Sequence, residues 1–161
     1  MAELTIREAR EADLLPLLEL YTFLHGNPMP EVGEKLKKLW DIILSDPDHH
    51  IVLGLVDGAL VSSCVIVIIP NLTHGQRPYA LIENVVTEVR HRNRGYATRL
   101  LDYARGIAAA ENCYKIMLLT GSKSEDTLRF YEKAGFKLTG RTKELDYGKP
   151  IEAVEYLLWL K

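Results

Sequence analysis

The chain has 161 residues, 47% of them hydrophobic and 26% charged, and a formal net charge of −2. That is the length of one ordinary domain and the make-up of a globular chain that can bury a core without disulfides or metal. The charge balance excludes the global basic field that gathers nucleic acid or an anionic membrane.

Leu4-Thr5-Ile6 alternates and reads as a first strand. Residues 12–24 carry Leu14, Leu15, Leu18 and Tyr21 as a helical stripe, with Asp13 near the start where an acid suits the helix dipole. Gly26-Asn27-Pro28-Met29-Pro30 breaks the chain. A second helix follows, with Leu36, Leu39, Trp40 and Ile43 on one face, and Pro47 ends it. Residues 51–56 and 59–69 read as strands around Asp57-Gly58, a two-residue hairpin signal. A polar loop over 70–78 leads to a strand over 79–87. Residues 95–110 form a helix buried along Ala97, Leu100, Leu101, Ala104 and Ala108. A strand over 115–120 and a short helix over 124–134, closed by Gly135, come next. Strands over 136–138 and 152–159 finish the chain, and the last is apolar enough to be covered on both faces. The order β-α-α-β-β-β-α-β-α-β-β is an α/β (α+β) pattern, implying one mixed sheet with helices on both faces in a single domain over 1–161.

Cys64 and Cys113 sit in apolar runs, which suits reduced, buried thiols and places the chain in the cytoplasm. No Cys/His spacing matches a zinc site, so no metal is expected. Met1-Ala2-Glu3-Leu4 lacks a secretion signal's charged and apolar regions, and the apolar run at 65–70 is too short for a membrane span.

The chemistry concentrates in Glu83-Asn84-Val85-Val86-Thr87-Glu88-Val89-Arg90-His91-Arg92-Asn93-Arg94-Gly95-Tyr96-Ala97-Thr98. Here a strand runs through a basic turn into a helix N-terminus, whose unpaired N–H groups and dipole attract anions. Gly95 and Ala97 carry little or no side chain, so a phosphate can approach the backbone. Arg90, His91, Arg92 and Arg94 add charge at the same place. Together they describe a pyrophosphate cradle; the competing reading is an ordinary turn with solvated arginines. Neither the Walker phosphate loop nor the dinucleotide fingerprint occurs.

Arg92-Asn93-Arg94-Gly95-Tyr96-Ala97 resembles the signature Gln/Arg-x-x-Gly-x-Gly/Ala of the GNAT N-acetyltransferase superfamily, which holds the pyrophosphate of coenzyme A. Asn84-Val85-Val86-Thr87 resembles the family strand whose backbone pairs with the pantetheine arm. Phe130-Tyr131-Glu132-Lys133-Ala134-Gly135-Phe136 resembles its second motif. The match covers about residues 80–140. It implies a GNAT fold of six to seven strands, acetyl-CoA as donor, and direct transfer to a primary amine of a small molecule. Ile82-Glu83-Asn84-Val85-Val86, Cys113-Tyr114-Lys115-Ile116 and Phe130-Tyr131-Glu132-Lys133 are similar to their counterparts in glucosamine-6-phosphate N-acetyltransferases; the N-terminal half departs from them.

The resemblance also assigns roles. Cofactor contacts fall to Val85, Val86, Thr87, Arg92, Asn93, Arg94, Gly95, Tyr96, Ala97, Thr98 and Ser124, the last where many relatives carry asparagine. A backbone N–H from Val85, Val86 or Thr87, in a strand that is bulged in the family, would meet the oxyanion. Glu83 is the candidate base, the alternative being a structural carboxylate satisfied by backbone N–H groups. Tyr131 is the candidate acid toward the leaving thiolate, the alternative being a core residue like Phe130. A covalent route through either cysteine is disfavoured by its apolar surroundings. His74 and Arg77 of the 71–79 loop, and the 25–31 loop, are candidate acceptor contacts. Protein or peptide N-acetylation, a non-catalytic acyl-CoA-binding module, and a homodimer all stay open.

Overall fold

Hydrophobic patterning and a few special backbone positions explain most of the architecture. The structure, a computed structural model, describes residues 3–122, 124–146 and 149–161. Its strands are β1 (Leu4–Glu8), β2 (His49–Val56), β3 (Ala59–Ile69), β4 (Tyr79–Thr87), β5 (Lys115–Thr120), β6 (Lys137–Asp146) and β7 (Lys149–Trp159). Its α-helices are α1 (Leu14–Tyr21), α2 (Glu34–Ser45), α3 (Tyr96–Ala110) and α4 (Glu125–Lys133). Short 3-10 turns occupy Glu11–Asp13, His74–Gln76 and Val89–His91. The sheet has seven strands in the order β1-β2-β3-β4-β5-β7-β6, with β4 and β5 parallel, so it is mixed as expected. No helix among the described residues is long and apolar enough to cross a membrane.

Two compact units partition the chain: Met1–Val67 with Asn84–Gly106, and Ile68–Glu83 with Ile107–Lys161. In the first, β1 pairs antiparallel with β2, and β2 with β3. The β2–β3 hairpin turns through Asp57 and Gly58, both with left-handed φ (49° and 78°). Leu17, Trp40, Ile51, Leu53 and Val65 form the core on one face of this sheet, beneath α1 and α2. The Trp40 indole N–H donates to the Glu11 carbonyl at 3.1 Å, which satisfies the one polar atom of that buried ring. On the opposite face α3 comes so close that a Cβ at Gly54 would lie 2.9 Å from a Leu100 methyl. A larger residue there would make the Leu100 and Leu4 methyls give way.

The face of α1 differs from the expected stripe. Leu17 and Leu20 are buried, while Leu15 is 48% exposed. Leu-Leu-Pro-Leu-Leu-Glu-Leu-Tyr is apolar almost all round, so periodicity gives it no phase and the packing partner chooses the face. In α2 Trp40 is buried but Leu39 is 51% exposed. Asp13 does more than favour a dipole. It accepts two bonds from the Arg7 guanidinium (2.7 and 2.9 Å) and one from the Arg10 N–H (2.7 Å).

In the second unit β5 pairs with β4 on one side and with β7 on the other, and β6 pairs with β7. Strand β6 is much longer than its apolar start suggests. Its polar continuation is a strand because it pairs along β7, from Lys137 opposite Leu157 to Asp146 opposite Lys149. At the described end of the last strand the cover is uneven, since Tyr156 is fully buried and Trp159 is 59% exposed; the side chains over 149–154 lie outside the described residues.

Candidate active site

Strand β4 alternates as a half-buried strand should, with Ala80, Ile82 and Val86 inside. The alternation fails at its middle, where Glu83 and Asn84 are both exposed. Asn84 has φ 51°, a left-handed backbone inside a strand, and asparagine is among the few side chains that tolerate it. Two consecutive serines of β3 are the buried polar residues among those described, and one of them ties β4 while the other ties β2. The Ser62 hydroxyl donates to the Val86 carbonyl at 3.0 Å and lies 2.9 Å from the Thr87 hydroxyl. The Ser63 hydroxyl donates to the Val52 carbonyl at 3.0 Å.

Beyond β4 the chain turns through Val89–His91 into α3. The Glu88 N–H donates to Val61, tying the turn to β3, and the Arg92 side chain donates to the Thr87 carbonyl at 3.1 Å. Asn93 and Gly95 take left-handed φ (60° and 76°). The first bond of α3 runs from the Arg99 N–H to the Gly95 carbonyl. The N–H groups of Tyr96, Ala97 and Thr98 therefore precede the helical ladder and have no acceptor within it. A Cβ built on Gly95 would meet nothing within 4 Å, so the space over this backbone is open. Arg92, Asn93, Arg94 and Gly95 are exposed, while Tyr96, Ala97 and Thr98 are half-buried. The first turn of α3 carries no acid. An open, basic helix N-terminus of this kind fits a diphosphate, so these residues suit the cofactor the sequence implies.

The remaining candidates lie in the other unit. Tyr131, on α4, is buried, with its ring centroid 5.0 Å from Phe130, 5.6 Å from Tyr156 and 6.3 Å from Phe136. The residue expected as an acid is thus anchored in an aromatic cluster, which fixes its ring. Glu83 is exposed. Ser124 precedes α4, is exposed and makes no side-chain cap; its N–H donates to the Ser122 hydroxyl at 3.3 Å. Unlike α3, α4 has two acids in its first turn, Glu125 and Asp126.

Both cysteines are free and buried, and burial pushes the Cys64 thiol up to about 12. A thiol held that high forms almost no thiolate at neutral pH. Arg77 is already occupied, donating to the carbonyls of Asn112 (3.1 Å) and Cys113 (2.9 Å). His74 stacks flat on Tyr114, with centroids 4.0 Å apart and planes 7° apart. Both tie the loop to residues 112–114, and an exposed loop sequence carries no sign of such engagement. Sequence reasoning also passed over Ser62 and Ser63; two hydroxyls in a buried apolar run were the signal available.

Residues 14–136 match the Acetyltransferase (GNAT) family. The chain is 32% identical over 151 residues to a glucosamine 6-phosphate N-acetyltransferase of Trypanosoma brucei brucei, covering 91% of this chain and 97% of that protein. Among solved structures, a Trypanosoma brucei acetyltransferase superposes with a TM-score of 0.78 at 32% identity, over 89% of this chain and 99% of its own. The glucosamine-6-phosphate N-acetyltransferase of Arabidopsis thaliana shares the fold, with a TM-score of 0.79 at 19% identity over 90% of this chain and 99% of that one. A family match from residue 14 to 136, joined to a relative matched over nearly its whole length, shows that this chain belongs to the GNAT acetyltransferases, N-acetyltransferases whose acetyl donor is acetyl-CoA.

Proposed function

We propose that this chain acetylates the amino group of glucosamine 6-phosphate, by direct attack of the amine on acetyl-CoA in a ternary complex. The observation that carries the acceptor is the relative of that name, matched over 97% of its length. The net charge of −2 supports a small-molecule acceptor over nucleic acid. The same reading treats residues 1–161 as one catalytic domain working in the cytoplasm.

Acetyl-CoA supplies an activated acetyl thioester. The α3 N-terminus, through the backbone of Gly95, Tyr96, Ala97 and Thr98 with Arg92, Asn93 and Arg94 around it, binds the pyrophosphate. The backbone of Val85, Val86 and Thr87 aligns the pantetheine arm and offers an N–H to the acetyl oxygen as charge develops there. Ser124 offers one hydroxyl hydrogen bond to the cofactor. Glu83, open to solvent, takes the proton of the acceptor ammonium directly or through water. Tyr131 donates its phenolic hydrogen to the departing sulfur without itself needing to be charged. Direct transfer is favoured over an acetyl-cysteine because the Cys64 thiol is held protonated.

The test is thiol release from acetyl-CoA with glucosamine 6-phosphate, glucosamine, polyamines, amino acids and peptides compared side by side. Glucosamine 6-phosphate should give the highest kcat/KM. A peptide or polyamine turned over better would replace the acceptor, and parallel double-reciprocal lines with an acetylated cysteine would replace the mechanism.

A further inference from the structure

Glu88 is the one acid between Glu83 and Asp102, in a stretch that also carries Arg90, His91, Arg92, Arg94 and Arg99. On charge alone, an acid beside a site for an anion weakens that site. Its contacts point to a different use. The Glu88 N–H donates to the Val61 carbonyl and its carbonyl accepts from the His91 N–H, both at 2.9 Å, so its backbone is fixed to β3 and to the turn. The side chain is only 12% exposed. Its Oε1 accepts from the Arg90 Nε–H at 3.0 Å, and its Oε2 faces the His91 Nε2 at 3.7 Å. The second contact is an ion-pair distance, longer than a hydrogen bond. Glu88 Oε2 and His91 Nδ1 are both buried with no hydrogen-bond partner among the described residues. A buried carboxylate oxygen in that state is costly, and its attraction for the two basic side chains offsets part of the cost. By sequence, Arg90 and His91 add to the charge around Gly95. In the fold both turn to Glu88 instead, and the Arg92 Nε–H is committed to the Thr87 carbonyl.

We propose that Glu88 is a positioning residue for acetyl-CoA binding: its carboxylate gathers Arg90 and His91 and so fixes the turn from which residues 92–98 receive the diphosphate. The proposal rests on the reading of residues 92–98 as the diphosphate site. Two effects oppose each other at Glu88. Its charge repels the cofactor, but that repulsion is screened by salt. Its bond to Arg90 is charge-assisted and holds the geometry on which the backbone contacts to the anion depend. Positioning outweighs repulsion, and the sign of one substitution tells the two apart.

The experiment is the Kd of coenzyme A, measured by calorimetry on the wild-type chain, Glu88→Gln, Arg90→Gln and the double variant. Glutamine keeps the shape of the glutamate side chain and removes its charge. Glu88→Gln should raise the Kd about tenfold, the scale of one charged hydrogen bond. In the Arg90→Gln chain the same substitution should raise it less than about threefold, because the carboxylate has already lost its bonded partner. The ligand-free chain gives a second readout: the NMR amide resonances of Asn93 and Gly95 should move on Glu88→Gln and stay put when Arg90 is already glutamine. An unchanged or lower Kd in Glu88→Gln would overturn the proposal, since repulsion alone would then describe the acid. Equal effects of Glu88→Gln in both backgrounds would overturn it too. The diphosphate reading is tested apart, on the wild-type chain, where coenzyme A should shift the amide resonances of residues 95–98. If they do not move, that reading fails and takes the proposal with it. If they move while Glu88→Gln binds undiminished, the reading stands and the proposal alone fails.

Discussion

The candidate residues fall into two groups of different chemical make-up. Val85–Thr87 and the 92–98 turn are proposed to act through backbone N–H groups, with an open Gly95, exposed arginines and no acid in the first turn of α3 shaping access. Glu83, Tyr131 and Ser124 are proposed to act through side chains, and what each can do depends on what packs around it. The two helix starts sharpen the contrast. Helix α3 begins behind Arg92 and Arg94, whereas α4 begins with Glu125 and Asp126, whose negative charge opposes an anion at its own N-terminus. A helix N-terminus is thus an anion site only when the residues around it leave its charge unspent.

If the groups divide the work as proposed, substitutions at Glu83 and Tyr131 should alter kcat and those in the 92–98 turn should alter cofactor affinity. The largest effect belongs to Tyr131→Phe. It removes a donor used most in the transition state, so kcat should fall about 10²–10⁴-fold while acetyl-CoA affinity barely moves. The aromatic packing of Tyr131 survives the change, which separates the acid from the core residue. Glu83→Gln should partly recover at alkaline pH, where more acceptor is free amine, and Tyr131→Phe should not. Wild-type kcat in Tyr131→Phe, or equal alkaline recovery of both variants, would remove Tyr131 from the acid role.

Gly95→Val tests the backbone group. The new side chain meets no neighbour, so the harm comes from forcing a β-branched residue to φ 76° and from filling the open space over the helix N-terminus. Acetyl-CoA affinity should fall by about 100-fold or more, the strain alone being of order 1–3 kcal/mol. The rise in Tm that acetyl-CoA gives the wild-type chain should then vanish at matched concentration. An undiminished Tm rise would show that the diphosphate lies elsewhere.

The same contrast explains what was legible in the sequence. Strands β4 and β5 begin and end where alternation and flanking polar residues place them, and the Arg-x-x-Gly-x-Ala turn is local chemistry readable in six residues. The buried face of α1 was not legible, because an all-round apolar helix encodes no direction. Nor was β6 beyond Leu138, which exists through pairing with β7. The engagement of Arg77 with two carbonyls and the clamps of Ser62 and Ser63 depend on partners more than ten residues away. Local rules therefore suffice to nominate the backbone group, while the surroundings of Tyr131 and Glu83 emerge only from tertiary packing.

Arg94 provides a finer measure of the unspent charge. It is exposed and has no ion-pair partner among the described residues. Arg94→Ala should raise the Kd for acetyl-CoA about tenfold at low salt, the scale of one charged hydrogen bond. The difference should shrink as salt screens the exposed charge. A salt-independent loss would point to a folding defect rather than to the anion.

The smallest effect concerns an arginine whose charge is already committed. Arg7 is held by Asp13 in a two-bond pair, and this bonding, with the Arg10 N–H assisting, keeps the Asp13 carboxyl below its ordinary value. A carboxylate whose pKa is lower folded than unfolded binds fewer protons in the native state. Its stabilisation is therefore complete above the unfolded value of about 3.9 and is lost as pH falls through the lower folded value. Asp13→Asn should lower Tm at pH 7 by roughly 3 °C, since such a partly exposed pair is worth about 1 kcal/mol or less. The gap between variant and wild type should stay constant down to about pH 4 and close below it. Acetyl-CoA affinity should not change, because neither residue is among those proposed to contact the cofactor, and Arg7 is committed to Asp13. A Tm gap that persisted at pH 2 would mean that Asp13 stabilises by packing, not charge, and a fall in cofactor affinity would erase the distinction between a spent arginine and a free one.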